Sequence, residues 1–248
     1  MKSFGLTDRG AVRKDNQDSF IIEKCEARDC LVVALCDGMG GAKAGGMASQ
    51  IANKAFINDV FSKLMARNLR TPDYRAILQA ACTEANGVAY EFSQFDEAFS
   101  GMGTTIVGGV IKQNGNGYII NVGDSRAYHI SRRMGRIQQI TKDHSLVEEL
   151  VEFGAITRSQ AKTHPQRSVI TRALGSEPTV EADFFECSLQ SGDVLLLCSD
   201  GLSNTLSDEE LLAFAKEHPE PEPLCRALME EALRRTARDN VTVVAVSK

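Results

Sequence analysis

Aspartates stand beside apolar runs at five places, and carboxylates on such rigid supports suit a site for hard divalent cations. Asp37 ends the run Leu31–Cys36 and is followed by Gly38-Met39-Gly40-Gly41. Asp124 follows Ile119-Ile120-Asn121-Val122-Gly123, and Asp200 follows Val194 through Ser199. Asp239 precedes the run Val241–Val246 with Asn240 beside it, and Asp18 borders the run Ser19–Ile22, after Arg13, Asn16 and Gln17. At any single position an Asp-Gly pair after a strand is more often a tight turn than a ligand. Both readings stay open, because order along a chain does not establish convergence in space.

The elements that must carry these residues alternate in blocks. Strands are expected over Ser19–Ile22, Leu31–Cys36, Thr104–Ile111, Tyr118–Val122, Arg126–Ile130, Ile137–Ile140, Val194–Cys198 and Val241–Val246. Asn114-Gly115-Asn116-Gly117 is a hairpin-turn signal. Helical spacing links Met47, Ile51, Ile57, Val60, Phe61 and Leu64, and again Tyr74, Ile77, Leu78, Ala81, Ala85, Val88, Phe92 and Phe95. Thr71 is the expected N-cap of that second helix, with Pro72 in its first position. Ser207 to Glu210 matches a capping box, and Leu224, Cys225, Leu228, Met229 and Ala232 mark a last amphipathic helix. From His144 to about Arg167 the pattern is polar and irregular, which fits one or two small helices in an excursion. Clustered strands with helices in pairs argue for α+β layers and against a doubly wound parallel sheet.

Bulk properties narrow the partners. The chain has 248 residues, 43% hydrophobic and 25% charged, enough for a sizeable core. A net charge of −5 with scattered cations argues against nucleic acid. The longest apolar runs are too short to span a bilayer, and Met1-Lys2-Ser3 leads to Asp8 and Arg9 without a secretory apolar stretch. Seven cysteines, an odd number with no Cys-x-x-Cys pair, fit a reducing cytoplasm. No Cys is followed at the sixth position by Arg, no Asp-x-Asp occurs, and no phosphate loop with its lysine is present. Gly40-Gly41-x-x-x-Gly45-Gly46 is either a helix entry that brings backbone near a metal or simple turn chemistry.

The motifs together resemble the metal-dependent protein phosphatases of type 2C, in their compact bacterial form. The matching segments are Thr7-Asp8-x-Gly10, Arg13-x-x-Asn16-Gln17-Asp18, Asp37-Gly38-Met39-Gly40-Gly41, Gly101-Met102-Gly103-Thr104-Thr105 and Asn121-Val122-Gly123-Asp124-Ser125-Arg126. Asp143-His144-Ser145, Thr171-Arg172-Ala173-Leu174-Gly175, Ser199-Asp200-Gly201-Leu202 and Asp239-Asn240-Val241-Thr242 complete the set in family order. The resemblance implies an α-β-β-α sandwich of two antiparallel sheets flanked by paired antiparallel helices, one domain over 1–248 with a flap at about 145–170. It implies that Asp37 bridges two metal ions, Gly38 lends its carbonyl, and Asp200 and Asp239 complete the first ion. Asp18 would hold the second ion's waters, Asn240 would support the site, and Asp124 with Asp200 would bind a third, weaker ion. Arg13 would grip the substrate phosphate, a role that suits its planar fork.

The implied activity is hydrolysis of phosphoserine and phosphothreonine in proteins by a metal-bridging hydroxide, with Mn²⁺ or Mg²⁺ favoured by an oxygen-only ligand set. Implied partners are phosphorylated proteins, including a cognate serine/threonine kinase; the protein is expected to be a signalling monomer with no nucleic acid and no membrane. A rival reading is a catalytically inactive module that binds phosphoproteins or kinases. Its expected mark, loss of Asp37, Asp200 or Asp239, is missing. Met39 stands where some relatives carry a histidine able to protonate the leaving group, so a metal-bound water is the expected substitute acid. His144 is the alternative, weighed against a plain structural role; His129, His164 and His218 are read as structural or exposed.

Overall fold

The computed structural model describes residues 1–66 and 71–248. The chain opens with strands β1 (Lys2–Asp8), β2 (Asp18–Cys25) and β3 (Cys30–Met39), then helices α1 (Gly41–Leu64) and α2 (Tyr74–Phe95). Strands β4 (Gly103–Thr104), β5 (Ile106–Lys112), β6 (Asn116–Val122), β7 (Arg126–Ser131) and β8 (Arg136–Gln139) follow. Short helices α3 (Leu146–Glu152) and α4 (Arg158–Ala161) precede strands β9 (Asp183–Ser188) and β10 (Val194–Cys198). Helices α5 (Asp200–Ser203), α6 (Asp208–Glu217) and α7 (Pro221–Arg234) lead to the last strand, β11 (Val241–Ser247). None of the described helices is long and apolar enough to cross a membrane.

Two antiparallel sheets, ordered β1-β11-β10-β7-β8 and β2-β3-β5-β6-β9 with β4 beside β3, stack face to face. Alternation along each strand sorts side chains into three apolar layers. On β3, Val32, Ala34 and Cys36 face α1 and α2, while Leu31, Val33 and Leu35 join the layer between the sheets. On β10, Val194, Leu196 and Cys198 face α6 and α7, while Leu195 and Leu197 face inward. Helices on both outer faces explain why these strands are continuous apolar runs although their partners are antiparallel. The expected α-β-β-α layering is what the chain adopts.

The layer between the sheets turns polar at one end. Keeping the inward parity, Leu35 gives way to Asp37, Phe20 to Asp18, Val107 to Thr105, Leu197 to Ser199 and Val244 to Thr242. Of the expected site residues, Asp18 and Asp37 therefore sit at the last inward-facing rung of neighbouring strands.

Several expectations are corrected. Two edge strands, β1 and β9, carry no strong apolar alternation and lay outside the expected set. Asp73, not Thr71, caps α2: its carboxylate accepts the Ala76 N–H at 3.0 Å, which leaves Pro72 outside the helix. Met47 is 39% exposed and lies off the face that Ala44, Ala48 and Ala52 bury, and Phe95 is 86% exposed, so the apolar face of α2 ends before it. The capping box at Ser207 and Glu210 forms as expected, and the excursion holds the two short helices α3 and α4.

Candidate metal centre

Asp18 and Asp37 are register partners across the β2–β3 hairpin, so their side chains leave the same face on the same rung. The charges of Asp18 and Asp200 both act on the Asp37 carboxyl. Asp200 begins α5, directly after β10. Asp124 lies in the turn between β6 and β7, and Asp239 in the loop before β11. Two close approaches assemble these pieces, and each requires glycine. A Cβ on Gly38 would stand 2.0 Å from the Gly45 carbonyl oxygen, where the first turns of α1 pack on β3. A Cβ on Gly201 would stand 2.0 Å from the Asn240 carbonyl oxygen, where the Asp239 loop reaches Asp200. The contact of Gly38 with Gly45 favours the backbone-approach reading of the glycine-rich stretch.

The crowding has an electrostatic consequence. Burial, followed by the charges of Asp18, Asp200, Asp124 and Asp239, pushes the Asp37 carboxyl well above the usual range. Burial and then Asp124 and Asp239 push Asp200 up to about 8. Asp18 and Asp124 rise as well, burial again leading. Like charges held together disfavour ionisation unless a cation enters. Two carboxylate oxygens, Asp18 Oδ1 and Asp200 Oδ1, are buried without any hydrogen-bond partner, although buried acceptors are normally satisfied. Oxygen-only donors with stranded lone pairs fit a hard divalent cation. Among the described residues no three His, Cys, Asp or Glu side chains close around one point to hold an ion unaided. An ion such as Mg²⁺, which keeps several waters, needs only one or two carboxylates.

Asp37, Gly38, Asp124, Asp200, Asp239, Asn240 and Arg13 line one cleft of about 430 Å³. Asp18 lies behind it, buried. Arg13 Nη2 donates to Asp239 Oδ2 at 2.6 Å, so the one guanidinium that lines the cleft among the described residues is held by one of its carboxylates. Asn240 secures the segment carrying Arg13: its Nδ2 donates to the carbonyls of Arg9 and Asp15, and its Oδ1 accepts the Gln17 N–H. Ser168 and Ile170, from the stretch after α4, line the cleft together with Met39. His144 does not line it. That ring is buried, its Nδ1 accepts the Gly123 N–H at 3.0 Å, and its Nε2 faces Asp183 at 3.3 Å. Burial and then Arg172 lower its pKa, which keeps it a neutral strut.

The sequence reading did not single out the hydroxyls beneath the acids. Thr105 Oγ1 accepts the Asp37 N–H and meets Ser125 Oγ at 2.7 Å, tying the Asp37 strand to the Asp124 turn. Ser199 and Thr242 both donate to Asp18. The available signal was the period-two alternation, which places each one inward-facing rung beyond an apolar residue.

A family model described as protein phosphatase 2C matches residues 10–239. The chain is 35% identical over 243 residues to the serine/threonine phosphatase Stp of Listeria monocytogenes serotype 4b, covering 98% of this chain and 94% of that one. The crystal structure of the serine/threonine phosphatase Stp1 from Staphylococcus aureus aligns with a TM-score of 0.89 and 36% identity over 99% of this chain and 94% of that one. The catalytic domain of the serine/threonine protein phosphatase PstP, in complex with two manganese ions, aligns with a TM-score of 0.81 and 34% identity, covering 99% and 97%.

Proposed function

The chain belongs to the protein phosphatase 2C family, and on that premise we propose that it is a metal-dependent phosphatase of phosphoserine and phosphothreonine in proteins. One observation carries the reading most: among the described residues the cleft gathers carboxylates whose only guanidinium partner is Arg13, and it leaves buried oxygens of Asp18 and Asp200 unpartnered. Asp37, Asp200 and Asp239, with the Gly38 carbonyl, would hold one ion; Asp37 would share a second, whose waters Asp18 holds. Asp124 with Asp200 would take a third. The ions are Mn²⁺ or Mg²⁺, on the chemistry of oxygen ligands. When bound, such ions acidify water towards neutral pKa and offset charge on the phosphoryl oxygens.

The chain's own residues supply position and grip. Arg13 would donate to the substrate phosphate, for which its fork must turn from Asp239, a carboxylate that would then serve the ion. Asn240 keeps the Arg13 segment at the cleft edge. Met39 offers no proton, and His144 is a buried strut that does not line the cleft, so protonation of the leaving alkoxide falls to water. Residues 1–248 act as one domain whose stretch at about 145–170 is a flap, with Ser168 and Ile170 over the cleft. Seven free thiols fit a cytoplasmic enzyme, a monomer whose substrates include a cognate serine/threonine kinase.

The test is turnover of a phosphothreonine peptide by the purified protein. Hydrolysis should require added Mn²⁺ or Mg²⁺ and stop with chelator. A metal-replete, folded protein that leaves the peptide intact sinks the proposal and favours the inactive binding module.

A further inference from the structure

Four polar residues of the family-matching motifs, Thr7, Asn16, Ser199 and Thr242, have no role in the scheme above, yet they meet beneath Asp18. Ser199 Oγ lies 2.8 Å and Thr242 Oγ1 2.6 Å from Asp18 Oδ2. Thr7 Oγ1 lies 2.7 Å from Thr242 Oγ1, and Asn16 Nδ2 donates to Thr7 Oγ1 at 2.8 Å. Ser199 Oγ accepts the Thr242 N–H, and Asn16 Oδ1 accepts the Asp18 N–H. Ser199 and Thr242 are fully buried.

Proton counting leaves one arrangement. A carboxylate only accepts, so both hydroxyls must spend their single proton on Oδ2. Thr242 can then only accept from Thr7, and Thr7 only from the Asn16 amide. The chain of bonds runs one way, from Asn16 through Thr7 and Thr242 to Asp18. Two donors on one oxygen, with the Asp18 backbone held by Asn16, fix the carboxylate's rotation. Oδ2 is saturated, and Oδ1 is buried without a partner.

We propose that Thr242, Ser199 and Thr7 are positioning residues that reserve Asp18 Oδ1 alone for the cation side of the cleft, so that Asp18 serves its ion through a single oxygen. The inference rests on the metal-dependent reading above. Were the carboxylate to rotate and present both oxygens, two buried hydroxyls would lose their acceptor. Orienting hydrogen bonds of this kind typically matter 10–100-fold in metal affinity or activity.

The experiment is Mn²⁺ titration by calorimetry on the full chain. Thr242→Val should weaken one class of Mn²⁺ sites about tenfold or more, and Thr242→Ser should restore it. Ser199→Ala should act in the same direction, and Thr7→Val less, because Thr242 keeps its bond to Asp18. Ser207→Ala, which removes the α6 cap far from Asp18 in the chain, should lower the melting temperature and leave Mn²⁺ binding unchanged. Wild type that binds no Mn²⁺ refutes the metal-dependent reading itself. Wild type that binds while Thr242→Val binds equally well overturns only the positioning role, as does a Thr242→Ser variant no better than Thr242→Val.

Discussion

Aspartates with their side chains largely buried occur in two settings in this molecule. Asp143, Asp183 and Asp193 each have a basic partner: Arg126 at 2.6 Å, Arg172 at 3.0 Å and His129 at 2.8 Å. Burial acts to raise Asp183 and Asp193, yet their hydrogen-bond partners, His144 and Arg172 for one and the Gln190 N–H with His129 for the other, bring both below the usual range. Asp18, Asp37, Asp124 and Asp200 move the opposite way, with burial leading in every case. Two things separate the sets: the second is the more deeply enclosed, and each member of the first is paired with a basic side chain. Where the chain supplies the counter-charge, an aspartate fastens structure. Where it withholds one, the acids hold their protons more tightly, and the proposed metal reading rests on that crowding.

Exchanging charge in each setting should give opposite profiles. Asp37→Asn should reduce phosphopeptide turnover by about 10³-fold or more, since several kcal/mol of charge stabilisation go with the ions. The melting temperature of its metal-free form should not fall, because a repelling charge has been removed. Near-normal turnover would erase the contrast. His129→Leu should do the reverse: it leaves the buried Asp193 without its imidazole, a stability loss of about 2 kcal/mol, with Mn²⁺ affinity unchanged. Chemical denaturation and calorimetry on one preparation check both halves.

Arg13→Ala probes the carboxylate that borrows a cation. The KM for a phosphopeptide should rise about tenfold, roughly 1.4 kcal/mol, with kcat less affected; an equal or lower KM argues against a phosphate grip. The smallest effect concerns pH. Unfolded aspartates titrate near 3.9, and the folded values here lie higher, Asp200 at about 8. The native metal-free state therefore holds more protons than the unfolded chain across that window, and its stability declines as pH rises from about 4 towards 8. Melting temperatures of chelator-treated protein should drop by a few degrees over that range, and saturating Mn²⁺ should remove the drop. A flat or rising profile would mean that the acids are not crowded.

Much of this was legible in the residues. β3, β10 and β11 announce themselves because helices and the opposite sheet bury both of their faces, which forces continuous apolar runs. β1 and β9 lie at sheet edges with one face half open, so Lys2, Gly5, Asp183 and Glu186 are tolerated and the pattern dissolves. Thr71 looked like a cap because the sequence signal is a residue type, whereas capping depends on which side chain reaches the free N–H groups; Asp73 does. The aspartates stood out because a carboxylate at the end of a buried run is anomalous. Thr105, Thr242 and Ser199 did not, because threonine and serine near a strand end need no explanation until a carboxylate or its N–H is found beside them.

The β2–β3 hairpin aligns Asp18 with Asp37 at the end of a run of pairs that reaches Cys25 and Cys30. Sliding one strand past the other by a single residue would turn its acid to the outer, helix-facing side. The meeting of the two acids thus depends on an integer rather than on a degree of order. On the proposed metal reading, a chain paired out of register would bring only one of these two acids to the cleft end of the sheets, and would lack the paired acids the ion needs.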